Sequence, residues 1–329
     1  MKHSSLFVYV RIFFVAFVMT LAVSSCLNMN HQGEGNDIPT QGEVTMHFDR
    51  NDSFVVDQLI HQFELEYPKA RIHPVYLSHQ ELMDLLNRGE IKGVFLHRSF
   101  TNQDKNVLEK RKIKLRSVMV YKSSSAFICN KSLSTVLDYR KLLDWLAGDD
   151  CLPFQSLVLY GKGGRILESL DSLLSANHKS LKRKVVSVSS PYQVIKSVSE
   201  NAHSLGSVGI NWLADEGDSW SMALRKKIKV LGFLPLGVAL NNSSEVNGMP
   251  VFDSTTSTMA AASIVYPMQS QIADRSYPFI EPVWGYDLQG YSGLVSGFLA
   301  YVCSHPGQVL IKKSGLYPAL PPHRTIEIQ

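Results

Sequence analysis

IKLRSVMVYKSSSAFICNKS, residues 113–132, changes character halfway along. It opens with polar and apolar residues interleaved and ends in the apolar run AFIC, 126–129. Alternation marks a strand with one wet face, and a continuous apolar run marks one covered on both faces. A single strand carrying both patterns leaves one sheet and enters another. The chain on either side should therefore hold two series of elements.

Upstream, the pattern alternates strand and helix. VTMHF (44–48) reads as a strand, and NDSF then offers caps for a helix in which Val55, Val56, Leu59, Ile60 and Phe63 recur at helical spacing. ARIHPVYL (70–77) reads as a strand, edge or irregular because of Pro74. Ser78 and Glu81 stand in the S-x-x-E capping-box arrangement before the apolar Leu82, Leu85 and Leu86. GVFLH (93–97) is a third strand, and TNQDKNVLEKRKI (101–113) a polar surface helix.

Downstream a second series follows. STVLDYRKLLDWLAG is a helix stopped at Gly148, and LVLY (157–160) a strand. ILESLDSLLSA, KVVSVSS, PYQVIKSVSENAHSL and VGINWL continue as helix, strand, helix, strand. After ALRKKIKVLGFLPL and a polar insertion near 241–258, the strand FIEPVWGYDL precedes one long helix, YSGLVSGFLAYVCSHPGQVLIKKSGL, ended by Gly315. This alternation predicts an α/β protein with largely parallel sheets. The doubled series predicts two lobes whose strand-end loops face a shared cleft.

The N-terminus carries its own message. Lys2, His3 and Arg11 precede IFFVAFVMTLAV, and small residues follow directly before Cys26 in VSSC. A basic start, an apolar run and small residues at the cleavage point make a secretory signal over residues 1–25. Cysteine after small residues resembles a bacterial lipobox, which implies cleavage before Cys26 and lipidation there. The plainer reading is an uncleaved anchor with Arg11 snorkelling. Either one places the remainder outside the cytoplasm and tethered to a membrane, through a polar, glycine-bearing tether at 26–42. Cys129, Cys151 and Cys303 read as small buried residues, although an oxidising compartment would permit a Cys129–Cys151 bond.

Charge and composition exclude several classes. The net charge of +4 is modest and 45% of residues are hydrophobic, as in a globular protein with a sizeable core. Lys and Arg read as dispersed, and LKRK at 181–184 as a solvated helix end, so no nucleic-acid partner is implied. Neither H-E-x-x-H nor G-x-S-x-G occurs, and eleven scattered histidines make no metal site. His61 and His79 read as helix-surface residues, and Trp145, Trp212, Trp220 and Trp284 as core. No enzyme, metal or cofactor is expected.

Four segments carry a resemblance: VFLHRSFTNQDKNVLEKRKIKL, STVLDYRKLLDWLAG, ENAHSLGSVGINWLAD, and RSYPFIEPVWGYDLQGYSGLVSGFLAYVCSHPGQVLIKKSGLYP. In this order and spacing the chain resembles the phosphate-binding solute-binding proteins of ABC transporters, in their lipoprotein branch, over most of residues 43–328. The resemblance implies the two-lobed type II periplasmic-binding-protein fold with strand crossovers. Lobe one would be 43–122 plus 230–329, and lobe two 123–229. It also implies a monomer on the periplasmic side of the cell envelope, an inorganic oxyanion as ligand, most simply phosphate, and an ABC permease as partner. The alternative is the same fold with a degenerate site, acting as a surface or signalling lipoprotein or binding a different oxyanion.

Such proteins hold their anion at helix N-termini, where the first N–H groups lack partners and the macrodipole is positive. Four places match. Ser53, with the amides of Ser53 and Phe54, is the first, and a plain helix cap explains it equally well. Ser78 is the second, with the capping box as its bland reading. Arg98 and Ser99, after the third strand, are the third, against a surface ion pair for Arg98. The fourth is the turn in LVLYGKGGRILESL (157–170), with Lys162, Gly163, Gly164 and Arg165. There the arginine fits the family pattern, but glycines stand where a serine and a threonine belong. GKGGR matches neither G-x-x-x-x-G-K-[ST] nor G-x-G-x-x-G, so a nucleotide site is not implied. Asp49 and Asp52 are the nearest carboxylates for a ligand proton, with helix capping favoured for Asp52.

Overall fold

The structure is a computed structural model that describes residues 37–133, 135–161, 165–214, 225–234 and 264–321, with Ala223 and two short strands at 245–246 and 249–250. In chain order the elements are β1 (Gly42–Asp49), α1 (Ser53–Glu66), β2 (Ala70–Leu77), α2 (His79–Arg88), β3 (Gly93–Leu96), α3 (Asn102–Lys110) and β4 (Arg116–Asn130). Next come α4 (Tyr139–Leu146), β5 (Ser156–Tyr160), α5 (Arg165–Ala176), β6 (Lys184–Val188), α6 (Pro191–Glu200), β7 (Ser204–Gly209), α7 (Asn211–Ala214) and β8 (Ile228–Val230). Then follow β9 (Glu245–Val246), β10 (Met249–Pro250), α8 (Gln269–Ala273), β11 (Ile280–Asp287), α9 (Leu294–Cys303), α10 (His305–Lys313) and β12 (Tyr317–Pro318).

β4 organises the sheet, whose order is β2-β1-β3-β11-β4-β7-β5-β6. From Arg116 to Ser124 it lies antiparallel to β11, and from Ser125 to Ile128 antiparallel to β7, with β8 beside its last residues. The change of partner falls within SSS, 123–125, where the sequence stops interleaving. β1 runs parallel to β2 and β3, and β5 runs parallel to β6 and β7. Pro74 is tolerated because β2 is the outer strand, with no further ladder to feed.

The core is correspondingly divided. Phe48, Phe63, Phe95 and Phe298 meet as edge-on and stacked rings beneath the first half of the sheet. Phe127, Trp145, Leu173, Phe233 and Phe279 fill the space beneath the second half. Cys129, Cys151 and Cys303 are free thiols, Cys129 buried and Cys151 exposed, so no Cys129–Cys151 bond exists.

Several boundaries differ from the sequence reading, and the helix expected over 134–148 spans only Tyr139–Leu146, capped by Asp138. The helix from Pro191 ends at Glu200, because the Asn201 side chain accepts from the His203 amide and turns the chain; the strand is SLGSVG, and Asn211–Ala214 is helical. Gly206 lets β7 lie directly on α6: a Cβ there would be 2.7 Å from Val198 Cγ2 and 3.0 Å from Ile128 and Val194 side chains. Gly206→Ala should therefore lower stability by about 1–3 kcal/mol, read from thermal unfolding. The last helix is two helices bent by 66°. Ser304 is extended (φ −74°, ψ 167°), and Pro306, with no N–H to give, can only begin a new helix.

Candidate functional site

The C-terminal ends of β1, β3, β5 and β7 converge on one pocket, where α/β sheets present loops. Its space is about 420 Å³, part of it open to solvent. β1 and the turn after it give Asp49 and Asn51, and β3 is followed by His97. Ser125 comes from the midpoint of β4 and Glu281 from β11. Tyr160 ends β5, Arg165 and Ile166 begin α5, Ser207–Gly209 end β7, and His79 begins α2.

Buried ion pairing dominates the floor. His97 Nε2 lies 2.7 Å from Asp52 Oδ2 and its Nδ1 lies 2.7 Å from Glu281 Oε2. Ser125 Oγ donates to the other Glu281 oxygen at 2.7 Å. Burial pulls the His97 pKa down, but the two carboxylates outweigh it and hold the value well above the ordinary one. For Glu281, burial pushes upward, and the hydrogen bond and charge of His97 more than offset it, leaving the pKa lowered. The result is an imidazolium clamped between two carboxylates.

The remaining charges surround this clamp. Asp49 is buried, accepts from the Asn51 amide at 2.8 Å, and is pushed up to about 6 by burial despite His97. Arg165 is 6% exposed and lies 3.7 Å from Glu168. His79 is 2% exposed and 3.5 Å from the same carboxylate. Burial, reinforced by Arg165, pushes His79 down to about 3, so it is neutral. The Ser207 hydroxyl is buried at the pocket wall with no hydrogen-bond partner among the described residues. At the rim, the Asn51 carbonyl accepts from Asn211 Nδ2 and, at 2.9 Å, from Trp212 Nε1. Those bonds tie the first half of the sheet to the second.

The expected site residues fare unequally. Arg165 lines the pocket. Lys162, Gly163 and Gly164 lie outside the described residues, as do Cys26 and Trp220. Gly161 before them has φ +74°, and a Cβ on it would sit 3.1 Å from Ser78 Cβ, so this turn needs glycine whatever it binds. Ser53 is not on the pocket wall; its amide donates to the Arg50 carbonyl, and the Phe54 ring packs on Trp212 at 4.4 Å between centroids. Ser78 spends its hydroxyl on the capping box with Glu81. Arg98 turns from the pocket to Asp104, at 2.7 and 3.3 Å, and to the Ser99 carbonyl. Asp104 draws it there because the same carboxylate caps α3 through Thr101.

Two readings need correction. His79 is buried in the pocket, not on a helix surface, because α2 begins against α5. Asp52 makes no side-chain cap; it is committed to His97. Glu281 and Ser125 went unread, although a lone glutamate in the apolar strand FIEPV was a visible signal of a buried charge.

No family model and no curated relative matches the sequence. Solved structures do match in shape. A phosphate ABC transporter substrate-binding protein from Clostridium perfringens, with bound phosphate, aligns at TM-score 0.61 and 12% identity, over 85% of this chain and 100% of that one. The fold is that of the type II periplasmic binding proteins. An ABC-type phosphate transport receptor from Vibrio cholerae aligns at 0.56 and 14% identity, over 84% of this chain and 100% of the receptor. The CcmR regulatory domain of Synechocystis PCC6803, in complex with 2-PG, shares the periplasmic-binding-protein shape at 0.51 and 11%, over 80% and 96%. The fold thus serves both transport and regulatory proteins, and the pocket must decide the ligand.

Proposed function

We propose that this protein is an extracytoplasmic solute-binding protein, lipid-anchored at Cys26, that captures an inorganic oxyanion, phosphate foremost, and delivers it as a monomer to an ABC permease. The observation that carries this reading is Arg165, buried at the start of a twelve-residue helix and lining the pocket. An arginine fork and a helix N-terminus are complementary to a tetrahedral anion. The buried Ser207 hydroxyl and Tyr160 line the same pocket, and Asp49, with its raised pKa, can share a proton with the ligand. The likeness to a protein solved with phosphate supports the same class.

The purified full chain should gain several degrees in Tm with phosphate, because a hundredfold excess over Kd contributes about 2.7 kcal/mol. A flat response to phosphate and sulfate alike would count against the reading. It would favour the second one, a protein that keeps the fold without the ligand. One observation supports that alternative: Glu281 already absorbs His97 and the Ser125 hydroxyl, so part of the polar wall is satisfied from within.

A further inference from the structure

The densest run of charge lies at the other end of the sheet from the pocket. Between residues 109 and 116, Lys110, Arg111, Lys112, Lys114 and Arg116 are exposed, against one exposed acid, Glu109. Lys and Arg are therefore not evenly dispersed. Lys110, Arg111 and Lys112 close the C-terminal end of α3, where cations complement the helix macrodipole, but Lys114 and Arg116 lie beyond that reach. Among the described residues no salt bridge involves Lys110, Lys112 or Lys114, and Arg116 lies 3.9 Å from Asp287. The run is also held in place. The Arg111 guanidinium donates to the Asn87 carbonyl at the end of α2, and Arg116 donates to Ser296 Oγ at 3.0 Å.

Strand direction fixes where this face looks. β3 begins at Gly93, beside Lys92, and leads to His97 at the pocket. β11 passes from Glu281 in the pocket to Asp287, paired in register with Arg116. Those six steps along a strand separate pocket and basic face by about 20 Å. β1 is parallel to β3 and starts at Gly42, so the chain coming from the N-terminal segment joins the sheet at the basic end. The twelve steps from Cys26 to Ile38 reach at most roughly 40 Å. Ile38, at that junction, is an apolar residue 50% exposed.

We infer that the face formed by residues 110–116 lies on an anionic lipid surface and turns the pocket outward. The inference rests on the anchored reading of the N-terminal segment. Charge complementarity selects the occupant: clustered Lys and Arg beside a membrane attachment are attracted by anionic headgroups and released by salt. A tether alone would let the pocket tumble; the basic face favours the outward orientation for capture, and because the contact is electrostatic it lets go for delivery to the permease.

The test uses the full chain on vesicles of phosphatidylcholine alone or mixed with phosphatidylglycerol, read by flotation and by amide hydrogen exchange. Flotation with both compositions is expected, with exchange over residues 110–116 slowed severalfold only on the anionic vesicles. High salt should abolish the slowing, as should the combined change K110E, R111E, K112E and K114E. Flotation with equal exchange on both compositions would overturn the inference and leave the anchor standing. Flotation with neither would overturn both. If the quadruple variant misfolds, the salt dependence of the unaltered protein decides: slowing that persists in high salt is not electrostatic and refutes the proposal.

Discussion

Replacing His97 with leucine is expected to lower the unfolding free energy by about 3–5 kcal/mol, the usual cost of removing one partner from a buried ion pair. Both ring nitrogens are engaged at 2.7 Å, by Asp52 and Glu281, and all three residues are at most 5% exposed. Without the imidazolium, two carboxylates from different elements would face each other without a counter-charge. Urea unfolding should show a lower midpoint with an unchanged slope. A loss below about 1 kcal/mol would mean that the network contributes no more than a surface pair. Replacing all three residues with packed apolar ones should recover much of the loss, since it is the stranded charge that costs.

The same network predicts how stability follows pH. His97 is raised in the folded state, so its contribution is complete below the ordinary value of about 6.5 and is lost as pH rises through the elevated one. Glu281 is lowered, so its contribution is present above about 4.3 and lost as pH falls through the depressed value. Asp49 acts in the opposite sense to Glu281 and in the same sense as His97. Its pKa of about 6 means that burial costs stability progressively as pH climbs from its ordinary value of about 3.9.

Local chemistry made much of the fold legible. The break in pattern at 123–125 located the change of partner along β4, and Ser78 with Glu81 located the start of α2. Both signals act over a few residues. The division of the last helix at Ser304 was also written locally, in SHP, but the apolar spacing on either side concealed it. The site was less legible because its partners are distant in sequence: Asp52, His97 and Glu281 meet across 45 and 184 residues. A capping rule applied to Asp52 sees the four residues after it and not the histidine that claims it. Arg98 turns from the pocket for a local reason instead. Its position at a strand end favoured the pocket, while Asp104, six residues on, offered a better-placed carboxylate.

Arg165→Ala is expected to weaken oxyanion binding about 10- to 100-fold, because a hydrogen bond to a charged group contributes roughly 1.5–3 kcal/mol. Arg165→Lys should fall between, keeping the charge and losing the fork. Around the pocket His79 stays neutral, His97 stays charged, and the Asp49 pKa of about 6 lies between them. Protonated Asp49 can donate to an anion, whereas ionised Asp49 repels it. Sulfate therefore separates this effect from any titration of the ligand: its affinity should rise as pH falls through about 6. Asp49→Asn, which is uncharged throughout, should bind sulfate with little dependence on pH. Calorimetric titration of the three variants on either side of that pH would decide the matter. Unchanged affinity in Arg165→Ala would remove the anion from this pocket, and a pH dependence that survives Asp49→Asn would assign the proton to another group.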